Sequence, residues 1–204
     1  MEAGSGKDEG SKEKGPSYYD KNLRGVLKPL GESPWLEVYK VALELLPAAD
    51  ENRAILDLGC GTGRFARLLA DEGYRNYQGV DFSPARIQAA QAYVPEFEFS
   101  VADIYELSEE RVERMDVFVL LEVLEHVEND LALLERIPGG RMVILSVPNY
   151  PSASHVRHFD SIEAVRLRFG DVLSFEGASI RIVQNPRRSD KKIFLIGCTR
   201  KCGS

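Results

Sequence analysis

"AILDLGCGTGRFARLLADEGYRNYQGVDFS", residues 54–83, decides how this chain is read. A short apolar run meets glycines at 59, 61 and 63, then a helical pattern, then a second apolar run that ends on Asp81. "AILDL" (54–58) has the length and composition of a buried strand. "GRFARLLADEG" (63–73) has helical spacing and stops at Gly73, and "YQGVDF" (77–82) reads as another strand. The result is one βαβ unit. Its glycine turn lies where open α/β sheets bind ligands, outside the carboxyl ends of the strands.

Three chemistries compete for such a turn. A phosphate-cradling loop ends in Gly-Lys-Ser/Thr, and this one does not. A dinucleotide fingerprint spaces its glycines G-x-G-x-x-G. Gly59 and Gly61 comply, but Arg64 holds the third position and the third glycine comes one residue early, at Gly63. What remains is D-x-G-x-G-x-G, Asp57 to Gly63: backbone amides that approach a ligand closely, with a carboxylate beside them. That suits a cationic, amino-acid-bearing nucleoside better than a pyrophosphate. Asp81, at the end of the second strand, is placed to accept both hydrogen bonds of a ribose diol.

Outward from this unit the alternation continues. "PWLEVYKVALELL" (34–46) carries a broad apolar helical face, with Ser33 as the expected N-cap and Pro34 in the first turn. Downstream, helical patterns at 83–94 (capped by Ser83), 129–137 and 161–170 alternate with apolar runs at 97–103, 115–124 and 141–147. Two last runs, 178–184 and 191–199, flank "NPRRSD", a hairpin signature. Strands alternating with helices predict a mostly parallel sheet with helices on both faces. The closing hairpin adds an antiparallel C-terminal strand.

The 204 residues suffice for one domain with a sizeable core. Residues 1–16 hold only Met1 and Ala3 as non-glycine apolar residues before Pro16, too little to offset their ordering entropy. They read as a disordered tail, and residues 17–204 as a single domain. The net charge of -6 and a pI near 5.2 speak against a nucleic-acid partner held by a broad basic surface. No apolar run approaches the ~20 residues of a membrane span, and the N-terminus lacks a signal-peptide apolar core. Three cysteines (60, 198, 202) without zinc-like spacing read as reduced thiols, consistent with a cytoplasmic protein.

"LDLGCGTGRFA" and "GVDFS", followed in order by "VADI", "LLEVLEHVEND" and "ILSVPNY", resemble the class I S-adenosylmethionine-dependent methyltransferases over about residues 33–199. The resemblance implies a Rossmann-like, seven-stranded sheet and S-adenosylmethionine as cofactor. It implies that Asp57, Gly59, Gly61 and Gly63 line the methionine end and that Asp81 holds the ribose with Phe82 beside the adenine. Ala102, Asp103 and Ile104 would follow the adenine, and Leu121 and Glu122 would lie close to the sulfonium. Tyr18 and Tyr19 lie before the first expected helix, at 34–46. Related enzymes close an N-terminal segment over the cofactor, which makes Tyr19 a candidate lid residue.

The acceptor end rests on histidines. A hydroxyl acceptor needs a base for its proton. His126 follows the fourth parallel strand and His155 the fifth, both on the ligand side of the sheet, so both are candidate catalytic residues. Glu122, Glu125 and His126 at x, x+3 and x+4 can converge on one side of a turn. With the downstream His155 they resemble the E-x-x-E-H plus His of small-RNA 3′-end 2′-O-methyltransferases, where magnesium binds the acceptor hydroxyls. Ubiquinone-pathway O-methyltransferases carry a comparable string. The reading favoured here has no metal: Glu122 touches cofactor, Glu125 is solvated and His126 polarises the acceptor directly. The expected activity is O-methylation of a small molecule or saccharide. RNA 2′-O-methylation and a non-catalytic, S-adenosylmethionine-binding regulator are the alternatives.

Overall fold

The structure, a computed structural model, describes residues 13–21, 29–48 and 53–203. The first twelve residues of the expected tail lie outside these. Seven strands form one sheet: β1 (Ile55–Leu58), β2 (Tyr77–Asp81), β3 (Glu98–Val101), β4 (Val117–Leu120), β5 (Met142–Pro148), β6 (Leu173–Asn185) and β7 (Arg188–Arg200). Their order is β3-β2-β1-β4-β5-β7-β6. β1 to β5 pair in parallel, and β7 runs antiparallel between β5 and β6. This is the mostly parallel sheet with an antiparallel last strand that the alternation predicts.

The helices are α1 (Pro16–Asp20), α2 (Leu36–Leu45), α3 (Arg64–Asp71), α4 (Pro84–Tyr93), α5 (Glu109–Glu113), α6 (Asp130–Glu135) and α7 (Ile162–Phe169). Strand period two divides the core between the faces. Ile55, Val117, Val119 and Ile144 join Val38, Phe65 and Leu69 on one side. Leu56, Phe118, Leu120 and Val143 join Phe159 and Phe169 on the other.

Three local expectations need correction. Ser33 does not cap α2: Trp35 occupies the N-cap position, and Ser33 Oγ instead accepts the Trp35 amide at 3.2 Å. Proline at 34 disfavours helical dihedrals in the residue before it, so the chain turns once more before the helix starts. Tyr18 and Tyr19 do not merely precede the first helix but sit within α1. β6 begins at Leu173, five residues before Ala178, because an irregularity between Ser174 and Ser179 lets the strand resume after a break in register. Ser83, by contrast, caps α4 as expected and accepts the Arg86 amide at 3.3 Å.

The register Asp57↔Gly79 and Asp57↔Val119 brings the carboxyl ends of β1, β2 and β4 level. Because chain order reverses between β1 and β4, the loops after them diverge and leave a crevice at that end of the sheet.

Candidate active site

The crevice holds a cavity of about 270 Å³. The loop after β1 forms its floor. Gly59, Gly61 and Gly63 have φ of 85°, 56° and 75°, dihedrals that L side chains rarely adopt. A Cβ at Gly59 would lie 2.6 Å from Val123 Cγ2, so at that position close packing alone requires glycine. A larger open groove of about 650 Å³ lies near the starts of β2 and β3, away from this end.

Among the residues singled out from sequence, Asp57, Gly59, Gly61, Asp81, Phe82, Ile104, Leu121, Glu122, His126 and Tyr19 line the cavity. Gly63, Ala102, Asp103, Glu125 and His155 do not. Gly63 is the left-handed N-cap of α3. Asp103 is exposed, and its carboxylate accepts the Tyr105 amide at 2.9 Å. The Ala102 amide donates to the Asp81 carbonyl at 3.1 Å.

Sequence reading missed Trp35, Tyr39, Arg64 and Arg86, which complete the walls. Arg64 carried a signal, since it is the residue that broke the dinucleotide spacing. Arg86 carried only its place in the first turn of α4.

Asp81 is oriented by backbone amides: Oδ2 accepts Gly61 N–H at 3.0 Å and Oδ1 accepts Ser83 N–H at 2.9 Å. Each oxygen keeps a second lone pair for a diol. Asp57 is 3 % exposed and accepts the Tyr77 hydroxyl at 2.7 Å. Burial pushes its carboxyl up to about 7, against that hydrogen bond and helped by Asp81. Tyr19 closes the opposite end, edge-on to Phe82 (5.3 Å) and His126 (6.1 Å), with the Arg86 guanidinium 4.6 Å from its ring. Asp20 Oδ1 accepts the Ser83 hydroxyl at 2.5 Å and ties α1 to the body of the domain.

An amide-lined turn, a diol acceptor, an aromatic wall and a buried carboxyl fit an amino-acid-bearing nucleoside end to end. Asp81 would hold its ribose, Phe82 and Ile104 its base, and Asp57 its amino group.

Beyond His126 lies a buried polar cluster. Atoms of Glu125, His126 and His155 lie within 4.8 Å of one another. His126 Nδ1 sits 2.8 Å from the Ser154 carbonyl and His155 Nδ1 3.1 Å from the Tyr150 carbonyl. A carbonyl only accepts, so both imidazoles donate from Nδ1. Burial, then His155 and Arg86, push His126 down to about 4, so it is neutral at pH 7. Glu125 is not solvated, contrary to the sequence expectation. It is fully buried, its Oε1 lies 3.8 Å from His126 Nε2, and burial with the neighbouring Glu122 charge pushes it well up. Glu122 lies outside the cluster, and its carboxylate accepts the Ser146 hydroxyl at 2.8 Å. Its φ of 57° is the one positive value at a non-glycine among the described residues.

A second layer holds these loops. Arg157, 7 % exposed, donates to the carbonyls of Leu124, Val127 and Glu128, capping the loop that carries Glu125 and His126. It pairs with buried Asp130 at 3.1 Å, which also pairs with Arg168 at 2.6 Å. The Val156 amide donates to the Glu125 carbonyl at 2.7 Å, so the segments bearing the two histidines are stitched together.

Strand order, glycine turn and paired acids at β1 and β2 together define a class I S-adenosylmethionine-dependent methyltransferase. The sequence profile of a family described as "Methyltransferase domain" matches residues 36–179, and the chain belongs to that family. Among curated relatives, the ubiquinone biosynthesis O-methyltransferase of Alkalilimnicola ehrlichii is 32% identical over 139 residues, 64% of this chain and 55% of that protein. The ubiquinone biosynthesis O-methyltransferase of Rickettsia conorii is 34% identical over 110 residues, 50% of this chain and 37% of that protein. The chain thus spans about half the length, or less, of these two relatives. An N-methyltransferase of Bradyrhizobium japonicum, solved with S-adenosyl-L-homocysteine, superposes with a TM-score of 0.67 at 16% identity, covering 89% of this chain and 98% of that one. The 1,6-didemethyltoxoflavin N1-methyltransferase of Burkholderia thailandensis superposes at 0.65 with 19% identity, covering 92% and 85%. Both share the fold. Among the described residues no helix is long and apolar enough to cross a membrane.

Proposed function

We propose that this chain transfers the methyl group of S-adenosylmethionine to a hydroxyl oxygen of a small-molecule or saccharide acceptor. The observation that carries the reading is His126: a neutral imidazole on the cavity wall, its Nδ1–H fixed by the Ser154 carbonyl and its Nε2, 3.8 Å from Glu125 Oε1, left to take a proton. The bound cofactor supplies an activated methyl group. The chain's own residues orient it, exclude water beneath Tyr19 and take the proton that the acceptor oxygen loses. The names of the relatives, O-methyltransferases, support oxygen as the acceptor atom. The net negative chain fits a small acceptor better than an RNA held by a broad basic surface.

The buried cluster favours a second version of the acceptor end. Glu125 with His126 and His155, whose ligand atoms lie within 4.8 Å of one another, is a donor set for a divalent cation. Second-layer carbonyls orient the two rings as they do for metal-bound histidine. There the cation would polarise the acceptor hydroxyl. One experiment separates the versions: release of S-adenosylhomocysteine from pooled hydroxyl acceptors by wild type, His126→Ala and His155→Ala, with and without chelator. Under the metal-free version, wild type keeps full activity in chelator and His126→Ala loses about 10²–10⁴ in turnover. Under the metal version, chelation abolishes activity, magnesium or manganese restores it, and both variants behave like the chelated enzyme. Full activity of both variants overturns the catalytic reading.

A further inference from the structure

The turn that joins β6 to β7 takes no part in holding the cofactor. Residues 181–192 carry five basic side chains, Arg181, Arg187, Arg188, Lys191 and Lys192, against one acidic, Asp190, in a chain whose net charge is -6. Strand direction sets where this charge stands. β7 runs antiparallel to β5, and Pro148, which ends β5, pairs with Ile193. Asn149 adds one more step: its amide donates to the Lys192 carbonyl at 3.0 Å, and its Oδ1 accepts the Lys192 amide at 2.7 Å. The residues before Lys192 therefore project past the carboxyl end of β5, the end of the sheet where the crevice opens.

The turn is also fastened to the acceptor end. Asn185 is 5 % exposed, its Oδ1 accepts the Arg187 amide at 2.8 Å, and its Nδ2 donates to the Tyr150 hydroxyl at 2.6 Å. The buried Tyr150 ring lies 5.5 Å from that of His155, which in turn lies 5.0 Å from that of His126. The Arg188 guanidinium lies over the same tyrosine, 5.9 Å from its centroid. The Tyr150 hydroxyl accordingly feels the charges of Glu122 and Glu125 as well as that of Arg188. A solvated turn has no need of a buried amide, whose burial is costly unless both its ends are bonded. Here both are, and one tyrosine joins the basic turn to the histidine segment.

Lys191 pairs with Asp190 at 3.2 Å. Arg187, Arg188 and Lys192 are exposed, and among the described residues none of them pairs with a carboxylate. Packing on a ring occupies the face of a guanidinium and leaves its in-plane N–H groups to a ligand. A carboxylate satisfies one such fork, whereas a phosphate, with close to two negative charges at pH 7 and three acceptor oxygens, matches several cations at once. We propose that Arg187, Arg188 and Lys192 bind a phosphate group carried by the methyl acceptor, so that the substrate is a phosphorylated small molecule whose reacting hydroxyl lies at His126.

The inference rests on the acceptor reading above, and binding is read without turnover so that the two fail separately. Backbone amide and arginine Nε resonances of the isolated protein are followed by NMR during titration with glucose 6-phosphate, with glucose, and with sodium chloride at matched ionic strength. Glucose 6-phosphate is expected to shift the resonances of Arg187, Arg188, Lys192 and Tyr150, and the other two are not. Arg187→Ser with Arg188→Ser should weaken that response about tenfold or more. Arg114→Ser with Arg166→Ser, the same loss of charge on α5 and α7, should leave it unchanged.

No response of these resonances in the wild type overturns the site, and that arm needs no variant to fold. An equal response to glucose or to chloride overturns it as well, as does an equal loss in both double variants. Turn-dependent binding to phosphatidylglycerol vesicles or to a uridine oligonucleotide, with no response to glucose 6-phosphate, overturns the small phosphorylated acceptor in favour of a membrane surface or an RNA. The methyl-transfer reading falls on a different result, full S-adenosylhomocysteine release by His126→Ala and His155→Ala.

Discussion

Asp81 is held by two backbone amides before any ligand arrives, so its carboxylate reaches the ribose already aimed. Its two hydrogen bonds to a diol are charge-assisted, each worth about 1.5–3 kcal/mol. Asp81→Ala should weaken S-adenosylhomocysteine binding at least about tenfold by calorimetry. The two stranded amides should also lower the melting temperature by a few degrees, because each loses its acceptor. Asp57 brings a pH dependence. Burial raises its pKa to about 7, whereas an unfolded carboxyl titrates near 3.9. Between those values the folded chain binds the extra proton, so the Asp57 contribution to stability falls as pH rises from about 4 to 7. A cationic amino group prefers the ionised carboxylate, so affinity should move the other way. Binding should tighten about tenfold between pH 6 and 8 with proton release at the lower pH, read by calorimetry in buffers of different ionisation enthalpy. A flat affinity profile would remove Asp57 from the amino-group contact. At this scale the sequence showed which residue types meet at the turn. It did not show that Asp103 faces solvent or that Glu125 is buried, because those outcomes depend on how neighbouring loops pack rather than on local spacing.

Elements were legible wherever a strong period met a stop signal. β1, α3 and β2 carry apolar runs bounded by glycines, and α4 carries a capping serine followed by proline, so their positions follow from local chemistry. α1 and α5 are five residues each, too short to imprint a helical period, and escaped notice. Ser33 resembled a cap by identity, yet Trp35 stands at the cap position and Ser33 engages Arg64, a partner 31 residues away that no local pattern reports. The same holds for Arg157, whose guanidinium collects three carbonyls of the loop between β4 and α6 and pairs with Asp130. Arg157→Met should leave Asp130 with Arg168 alone and orphan those carbonyls. The expected loss is about 3–5 kcal/mol, measured by urea denaturation. A loss below about 1 kcal/mol would mean that water replaces the guanidinium without penalty.

For the whole molecule, α1 joins the body through Asp20 with Ser83 and through Tyr19 with Phe82, while Glu13 accepts the Glu128 amide at 2.9 Å. Deletion of residues 1–12, whose composition offers almost nothing to bury, should leave both melting temperature and nucleoside affinity within error. Deletion of residues 1–21 also removes Tyr19 and should weaken S-adenosylhomocysteine several-fold, seen by calorimetry. Equal effects of the two deletions would mean that α1 contributes nothing to the cavity.

The placement of β7 also orders events in time. It runs between β5 and β6, and within the sheet β6 pairs with β7 alone. While a ribosome is still adding residues 188–200, β6 has no strand to pair with and β5 remains an open edge beside a half-formed core. The sheet can therefore close only once residues 188–200 have been made, by contacts that are distant in sequence and slow to form. A chain stopped at residue 187 should present two unpaired edges and aggregate, even though it carries every residue of the candidate active site.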